Sequence, residues 1–201
     1  MTEAHQTSHQ DNPIEKFRQV FQLARETVKS DYTAMTLSTC TKDGYPSSRI
    51  VLLKDFSEEG FIFFTNYHSR KSRELEENPR AALCFYWPEI NQQVRIEGTV
   101  SKIQPRDSDA YFNSRPRLSQ IGAWASDQSQ PLRSREELLS RVADLEKKYE
   151  DQPVPRPSFW GGYLLHPTRM EFWINGEFRL HDRFLYQFEG PGQWYMKRLN
   201  P

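Results

Sequence analysis

The sequence predicts a mainly β protein, an antiparallel barrel with helices at its periphery. Three observations carry that expectation. Runs of strand length, apolar or alternating, recur along the 201 residues and suggest roughly seven to nine short strands. Helical segments interrupt them without the regular strand–helix alternation that a parallel sheet needs. Aromatic residues make up 13% of the chain, which favours pleated stacking surfaces over a helical bundle.

The elements follow in order. Met1 to Asn12 is polar, lacks the apolar core of a secretion signal, and is expected to be a disordered segment ahead of a single domain over residues 13–201. Asn12-Pro13 reads as an N-cap followed by proline at the first helical position. Ile14, Phe17, Phe21, Ala24 and Val28 form a helical stripe that predicts a helix to about residue 30. Strands are expected over 34–39 and 49–54, joined through the Asp43-Gly44 turn, and over 61–65. Ser69 can cap a short helix that Pro79 stops. Strands over 82–87 and 94–102 come next, the second with Val94, Ile96, Gly98 and Val100 on one face. Helices are expected over 105–114, 116–126 and 134–149, the last opened by a Ser134…Glu137 capping box. An extended linker, Pro153 to Pro157, leads to strands over 162–165, 169–174, 179–188 and 194–199. No internal repeat or low-complexity tract is visible.

Composition narrows the function classes. Lys plus Arg balance Asp plus Glu at 27 each, so no global field gathers nucleic acid or coats an anionic membrane. The cations are 18 Arg against 9 Lys, a bias toward planar forks that suit phosphate and carboxylate. Cys40 and Cys84 lack metal-ligand spacing and read as buried free thiols of a reducing compartment. No apolar run approaches a membrane span, and a cytoplasmic protein is expected. Metal clusters, glycine-rich phosphate loops and nucleophile elbows are missing from the sequence.

Three segments can carry chemistry. In Arg179-Leu180-His181-Asp182-Arg183, an extended backbone places Arg179, His181 and Arg183 on one face. Those groups repel unless an anion or a carboxylate lies against them; a solvated, salted strand is the other reading. Residues 65–71 join a strand to a helix and put Ser69, Arg70 and Lys71 at a helix start. That is a phosphate seat, or a charged surface helix paired with Glu74 and Glu77. Tyr111, Arg115 and Ser119 recur every four residues across Pro116 and can converge on an anion or mark a helix break.

Together these segments acquire a further meaning. Arg49-Ile50-Val51-Leu52-Leu53-Lys54, Phe64-Thr65-Asn66, Ser69-Arg70-Lys71, Gln93-Val94-Arg95, Tyr111…Arg115…Ser119…Gly122, Gln128-Ser129, Phe159…Gly162 and Arg179…Arg183 occur in that order. The set resembles the pyridoxine/pyridoxamine 5′-phosphate oxidase family, from about Ala34 to the C-terminus. Single motifs are weak, but independent surface patches would not reproduce the order.

The resemblance implies an antiparallel split β-barrel of the FMN-binding type. FMN would be held by Arg49, Ile50, Val51, Leu52, Lys54, Phe64, Thr65, Arg70, Lys71, Gln93, Gln128, Ser129, Trp173 and Arg183. The substrate, pyridoxine or pyridoxamine 5′-phosphate, would meet Lys54, Tyr111, Arg115, Ser119, Arg179 and His181, with Arg179 and His181 as the catalytic pair. A hydride would pass from substrate C4′ to flavin N5, and dioxygen would reoxidise the flavin to give hydrogen peroxide and pyridoxal phosphate. The family is a homodimer with its flavin sites at the interface, and no metal takes part.

Arg49 and Lys54 lie five apart, so a regular strand would send them to opposite faces, one toward flavin and one toward substrate. The chain departs from the family pattern twice. Met1 to Asn12 has neither the Arg nor the Tyr of a substrate-covering lid, and Ile174-Asn175-Gly176-Glu177 stands where the pattern has Gln-Gly. Other classes compatible with a barrel that interleaves Arg and aromatics are a split-barrel flavin or haem-related reductase, a non-catalytic pyridoxal phosphate or FMN binding protein, and a nucleic-acid-binding barrel. The Tyr111, Arg115 and Ser119 set opposes the first, and zero net charge opposes the last.

Overall fold

The computed structural model describes residues 12–201, so the disorder expected for the residues before Asn12 lies outside the described range. The Asn12 side chain accepts a hydrogen bond from the Ile14 amide at 2.8 Å, and Pro13 opens α1 (Pro13–Thr27). This helix buries Ile14, Phe17, Val20 and Ala24, and Val28 stands at its C-cap, so it ends short of residue 30. Phe17 meets the rings of Phe56 and Phe61 edge-on, each at 4.9 Å between centroids, and Phe85 at 5.2 Å. The helix is therefore anchored by aromatic packing into the main core.

The strands form one mixed-length antiparallel sheet. β1 (Ala34–Cys40) and β2 (Pro46–Leu52) make a hairpin through Gly44, whose φ of +88° is a conformation glycine enters without a Cβ penalty. β3 (Asp55–Ser57), which the sequence did not suggest, pairs with β4 (Gly60–Asn66). After α2 (Arg70–Glu77) come β5 (Arg80–Trp87) and β6 (Gln92–Lys102). Strand order is β2-β1-β5-β6, followed by β7 (Trp160–Ile174), β4 and β3, with β8 (Asp182–Gly190) on β7 and β9 (Gln193–Leu199) on β8.

β7 corrects the expectation of two separate strands over 162–165 and 169–174. It is one strand of 15 residues, paired with β6 along its length, with a register shift where Gly98 faces Pro167 and Glu97 faces Arg169. Pro167 has no amide to donate and Thr168 is the extra residue of the bulge, so the bend imitates a break in the sequence. Its first half pairs with β4 and its second half with β8, so the curled sheet divides there into two arms.

The expected strand over 179–188 is also corrected. Glu177–Arg179 is a 3-10 turn, Phe178 and Arg179 have φ of +54° and +65°, and the strand begins only at Asp182. Gly176 makes this turn possible: a Cβ there would lie 2.1 Å from the Leu180 carbonyl oxygen. Arg179 and His181 are thus loop residues, and alternation does not set their direction.

α3 (Pro105–Ser114), α4 (Arg117–Ala125) and α5 (Arg135–Lys148) flank the sheet. Ser134 caps α5 by accepting from the Glu137 amide at 3.2 Å, which is one half of the expected capping box, while the Glu137 carboxylate takes Arg141 Nη2 at 2.7 Å. Phe112, Ile121, Tyr149, Val154 and Trp160 form a second small core. Pro153 to Pro157 is accordingly no bare linker, since Val154 is buried and Pro155 accepts the Trp124 indole N–H at 2.7 Å. Cys40 and Cys84 are free but half-buried rather than buried. No helix among the described residues is long and apolar enough to cross a membrane.

Candidate functional site

A cavity of about 840 Å³, a size suited to small ligands, opens between β2, β4, the start of α2 and the α3–α4 junction. Most of the residues singled out in the sequence line it. Arg49, Ile50, Val51, Leu52 and Lys54 come from β2 and the chain just beyond it. Phe64 and Thr65 come from β4, and Arg70 and Lys71 from α2. Tyr111, Arg115 and Ser119 line it from the α3–α4 junction, and Gln128 and Ser129 from the loop after α4.

The expectation that Arg49 and Lys54 serve opposite faces fails. β2 ends at Leu52, the chain turns, and the Lys54 amide donates to Ile62 across to β4, so both side chains line the same cavity. Ser47, Ser48, Asn66, Gly122, Ala123, Ser126 and Trp160 also line it without having been assigned there. Trp160 and Gly122 lay inside segments recognised in the sequence, but polar chemistry drew attention to their neighbours.

Two cationic groups shape the wall. The first gathers at the start of α2. Ser69 does not cap this helix through its side chain, as was expected; its hydroxyl faces Ser72 and accepts from Lys71 Nζ at 3.2 Å. Lys71 Nζ also donates to Thr65 Oγ1 at 3.0 Å and to Gln128 Oε1 at 2.8 Å. All three acceptors are neutral. Burial, reinforced by the Arg49 charge and partly offset by Glu74, lowers the Lys71 ammonium to about 8. A buried cation without a carboxylate on it is stabilised when an anion arrives in the cavity. The first turn of α2 adds amides that lack intrahelical acceptors.

The second group is built on aromatic rings. Phe64 stacks on Tyr111 at 4.0 Å and on Trp160 at 5.3 Å, and the Arg115 guanidinium lies over Trp160 at 4.6 Å. Arg115 Nη1 is buried with no hydrogen-bond partner among the described residues. Burial lowers the Arg115 pKa, with Tyr111 opposing the shift. Arg115 lines the ligand-sized cavity, and its guanidinium is a planar fork suited to an anionic acceptor.

Gln93, Trp173, Arg179, His181 and Arg183 do not line this cavity. They form a cluster of their own. Gln93 is paired with Trp173 across β6–β7 and Trp173 with Arg183 across β7–β8, which sets the three side by side. The His181 ring lies 4.6 Å from Trp173, and its Nδ1 accepts from the Gly176 amide at 3.1 Å. That bond leaves Nε2 as the nitrogen that carries the proton of the neutral ring. Arg179 is exposed beside it on the strained turn. Positive φ at Ser129, Phe178 and Arg179 places backbone strain in both clusters.

Arg183 is the member most firmly tied. Its Nε and Nη2 each meet Glu171 Oε1 at 2.8 Å, and its Nη1 donates to the Asn200 carbonyl at 3.1 Å. Glu171, buried, also takes Arg95 Nη1 at 3.3 Å. The carboxylate that the pentapeptide demanded is therefore Glu171, and Asp182 pairs instead with Arg198 at 2.6 Å.

Comparison with known proteins gives a consistent result. Residues 22–149 match the family model described as pyridoxamine 5′-phosphate oxidase. Residues 160–201 match that of the pyridoxine 5′-phosphate oxidase C-terminal dimerisation region. A pyridoxine/pyridoxamine 5′-phosphate oxidase of Rubrobacter xylanophilus is 56% identical over 190 residues, covering 94% of this chain and 87% of the relative. One of Myxococcus xanthus is 52% identical, covering 94% and 92%. Among solved structures, PhzG from Burkholderia lata, in complex with tetrahydrophenazine-1-carboxylic acid, superposes with a TM-score of 0.88 at 31% identity, covering 100% of this chain and 99% of its own. An FMN binding protein from Nostoc punctiforme shares the fold with a TM-score of 0.76 at 17% identity, covering 98% and 100%.

Proposed function

Since the chain belongs to the pyridoxamine 5′-phosphate oxidase family, we propose that it oxidises pyridoxine or pyridoxamine 5′-phosphate to pyridoxal 5′-phosphate, using FMN and dioxygen, with water consumed and ammonia released when the substrate is the amine. The observation that carries this reading is the pairing, on one cavity, of two cationic groups with unmet anion demand: Lys71 among neutral acceptors, and Arg115 with a bare buried nitrogen. FMN and the substrate each bring one phosphate, so two such groups fit one molecule of each.

Arg49, Arg70 and Lys71 hold the FMN phosphate in this reading, with Thr65, Gln128 and Ser129 along its length. Arg115, Tyr111, Ser119 and Lys54 hold the substrate phosphate. FMN, when bound, supplies the two-electron acceptor for oxidation at C4′ and passes the electrons to dioxygen, giving hydrogen peroxide. The protein's own contribution is placement and charge. The stacked rings of Phe64, Tyr111 and Trp160 form a wall, and the Arg115 guanidinium lies over Trp160.

The remaining residues come from a second copy. Gln93, Trp173, Arg179, His181 and Arg183 stand apart from the cavity as one half-site, and the cavity is the other. A homodimer in which each cluster closes the other subunit's cavity completes two identical sites. The match of residues 160–201 to a dimerisation region supports that arrangement, since that segment carries Trp173, Arg179, His181 and Arg183. There Arg179 covers the substrate, and His181 offers its Nε2 proton to the polar edge of the ring while Gly176 fixes the imidazole.

The direct test is to reconstitute the purified protein with FMN, add pyridoxine 5′-phosphate in air, and follow pyridoxal phosphate and peroxide. Stoichiometric appearance of both is expected. A protein that remains colourless after reconstitution would overturn the assignment. Arg179→Ala and His181→Ala are each expected to lower kcat on the order of a hundredfold while flavin stays bound. Equal turnover per bound flavin in either variant would remove that residue from the catalytic pair.

A further inference from the structure

Behind the first cationic group sits a carboxylate that does not line the cavity. Glu74, on α2, is 4% exposed. Its Oε1 accepts from Arg70 Nε at 2.8 Å. Its Oε2 accepts from Thr39 Oγ1 at 2.5 Å, from Ser47 Oγ at 2.6 Å and from Arg49 Nη2 at 3.3 Å. Arg49 is held from the other side as well, with Nη1 on Thr39 Oγ1 and Nη2 on Ser47 Oγ, both at 2.5 Å. One buried side chain thus ties β1, β2 and α2 together at the point where two guanidiniums and Lys71 meet. Burial alone would raise the Glu74 carboxyl, but the bonds from Ser47, Thr39 and Arg70 and the charge of Arg49 outweigh it and bring it to about 2.

We propose that Glu74 is a positioning residue for phosphate recognition: it fixes the guanidiniums of Arg49 and Arg70, through which the cavity grips the phosphate of its flavin nucleotide. The inference rests on the FMN reading given above. Arg49, Arg70 and Lys71 crowd one wall, and without a counter-charge they would repel and swing toward solvent. Glu74 holds Arg70 through Nε alone, which leaves both terminal nitrogens of that guanidinium for a ligand, and holds Arg49 through Nη2. It also offsets one charge, which leaves two net positive charges to meet a phosphate dianion. Thr39 acts in the same assembly, bridging Arg49 and Glu74 from a buried position of its own.

The test uses opposite signs. On charge alone, Glu74→Gln removes a negative group near the phosphate and should tighten FMN binding. On positioning, it frees both guanidiniums and should weaken FMN binding roughly tenfold, the loss expected for a charge-assisted contact. Flavin fluorescence quenching measures the dissociation constant for the full-length protein with FMN and, in parallel, with riboflavin, which lacks the phosphate. The expected result is weaker FMN binding and unchanged riboflavin binding. Tighter or equal FMN binding, or a parallel loss of riboflavin, overturns the proposal. Thr39→Val keeps side-chain volume and the Glu74 charge and is expected to weaken FMN binding about threefold; if Glu74→Gln fails to fold, this variant decides, and wild-type affinity in it overturns the proposal. Failure of the wild-type protein to bind FMN would instead remove the function on which the inference rests.

Discussion

A heterodimer of one Arg115→Ala subunit and one Arg179→Ala subunit is expected to turn over at roughly half the wild-type rate per dimer, although each variant homodimer is nearly inert. The reasoning follows from the two clusters. Arg115 lines the cavity, whereas Arg179 stands in the separate group near Trp173 and His181. If each site takes its cavity from one subunit and its Arg179 from the other, the heterodimer has one site with both defects and one with none. Two affinity tags isolate it, and peroxide production reports turnover. Activity no greater than the mean of the two variant homodimers would show that each site is built within one chain.

Lys71→Met is the substitution expected to separate binding from stability most widely. FMN affinity should fall on the order of a hundredfold, because in the proposed arrangement this buried ammonium meets the FMN phosphate. The cofactor-free protein should become more stable, its thermal midpoint rising by a few degrees. The sign follows from the lowered pKa. With an ordinary value of 10.5 and a folded value of about 8, the Lys71 charge is carried against the fold at neutral pH. That penalty is full below about 8, is relieved as pH rises toward 10.5, and vanishes above it, because in this window the unfolded chain binds the extra proton. FMN affinity should run the other way, level near pH 7 and weakening above about 8 as the ammonium is lost. Isothermal titration across that range, beside melting curves of both proteins, checks the pair. A Lys71→Met protein less stable than wild type without FMN would contradict the assignment of an uncompensated charge.

Sequence and structure agree at three sites of local chemistry, and part at Ser69, whose hydroxyl turns to Ser72 and Lys71. The Asn12-Pro13 cap, the Asp43-Gly44 turn and the Ser134 cap of α5 form as their side chains dictate. The two main misreadings are places where distant contacts override local pattern. Pro167 and the extra Thr168 suggest a break, yet pairing with β6, β4 and β8 carries one strand through. Arg179 and His181 read as alternating strand residues, yet close approach at Gly176 turns the chain before β8 begins. The cavity's cations were legible because Arg and Lys stood beside hydroxyls at a strand–helix junction. Glu74 was read only as a surface partner of Arg70 or Lys71. Its links to Thr39, Ser47 and Arg49 span 25 to 35 positions and follow from the fold alone.

β7 begins at Trp160, on the cavity, and nearly ends at Trp173, in the second cluster. At about 3.3 Å per residue, less the bend at its bulge, it holds the two clusters of a chain at most roughly 40 Å apart. In a symmetric dimer the same length fixes how far apart the two reaction centres stand. Adding or removing a pair of residues would keep every side chain on its own face but move one end of the strand by about 7 Å. In the proposed dimer, such a change would move the two halves of each site past one another.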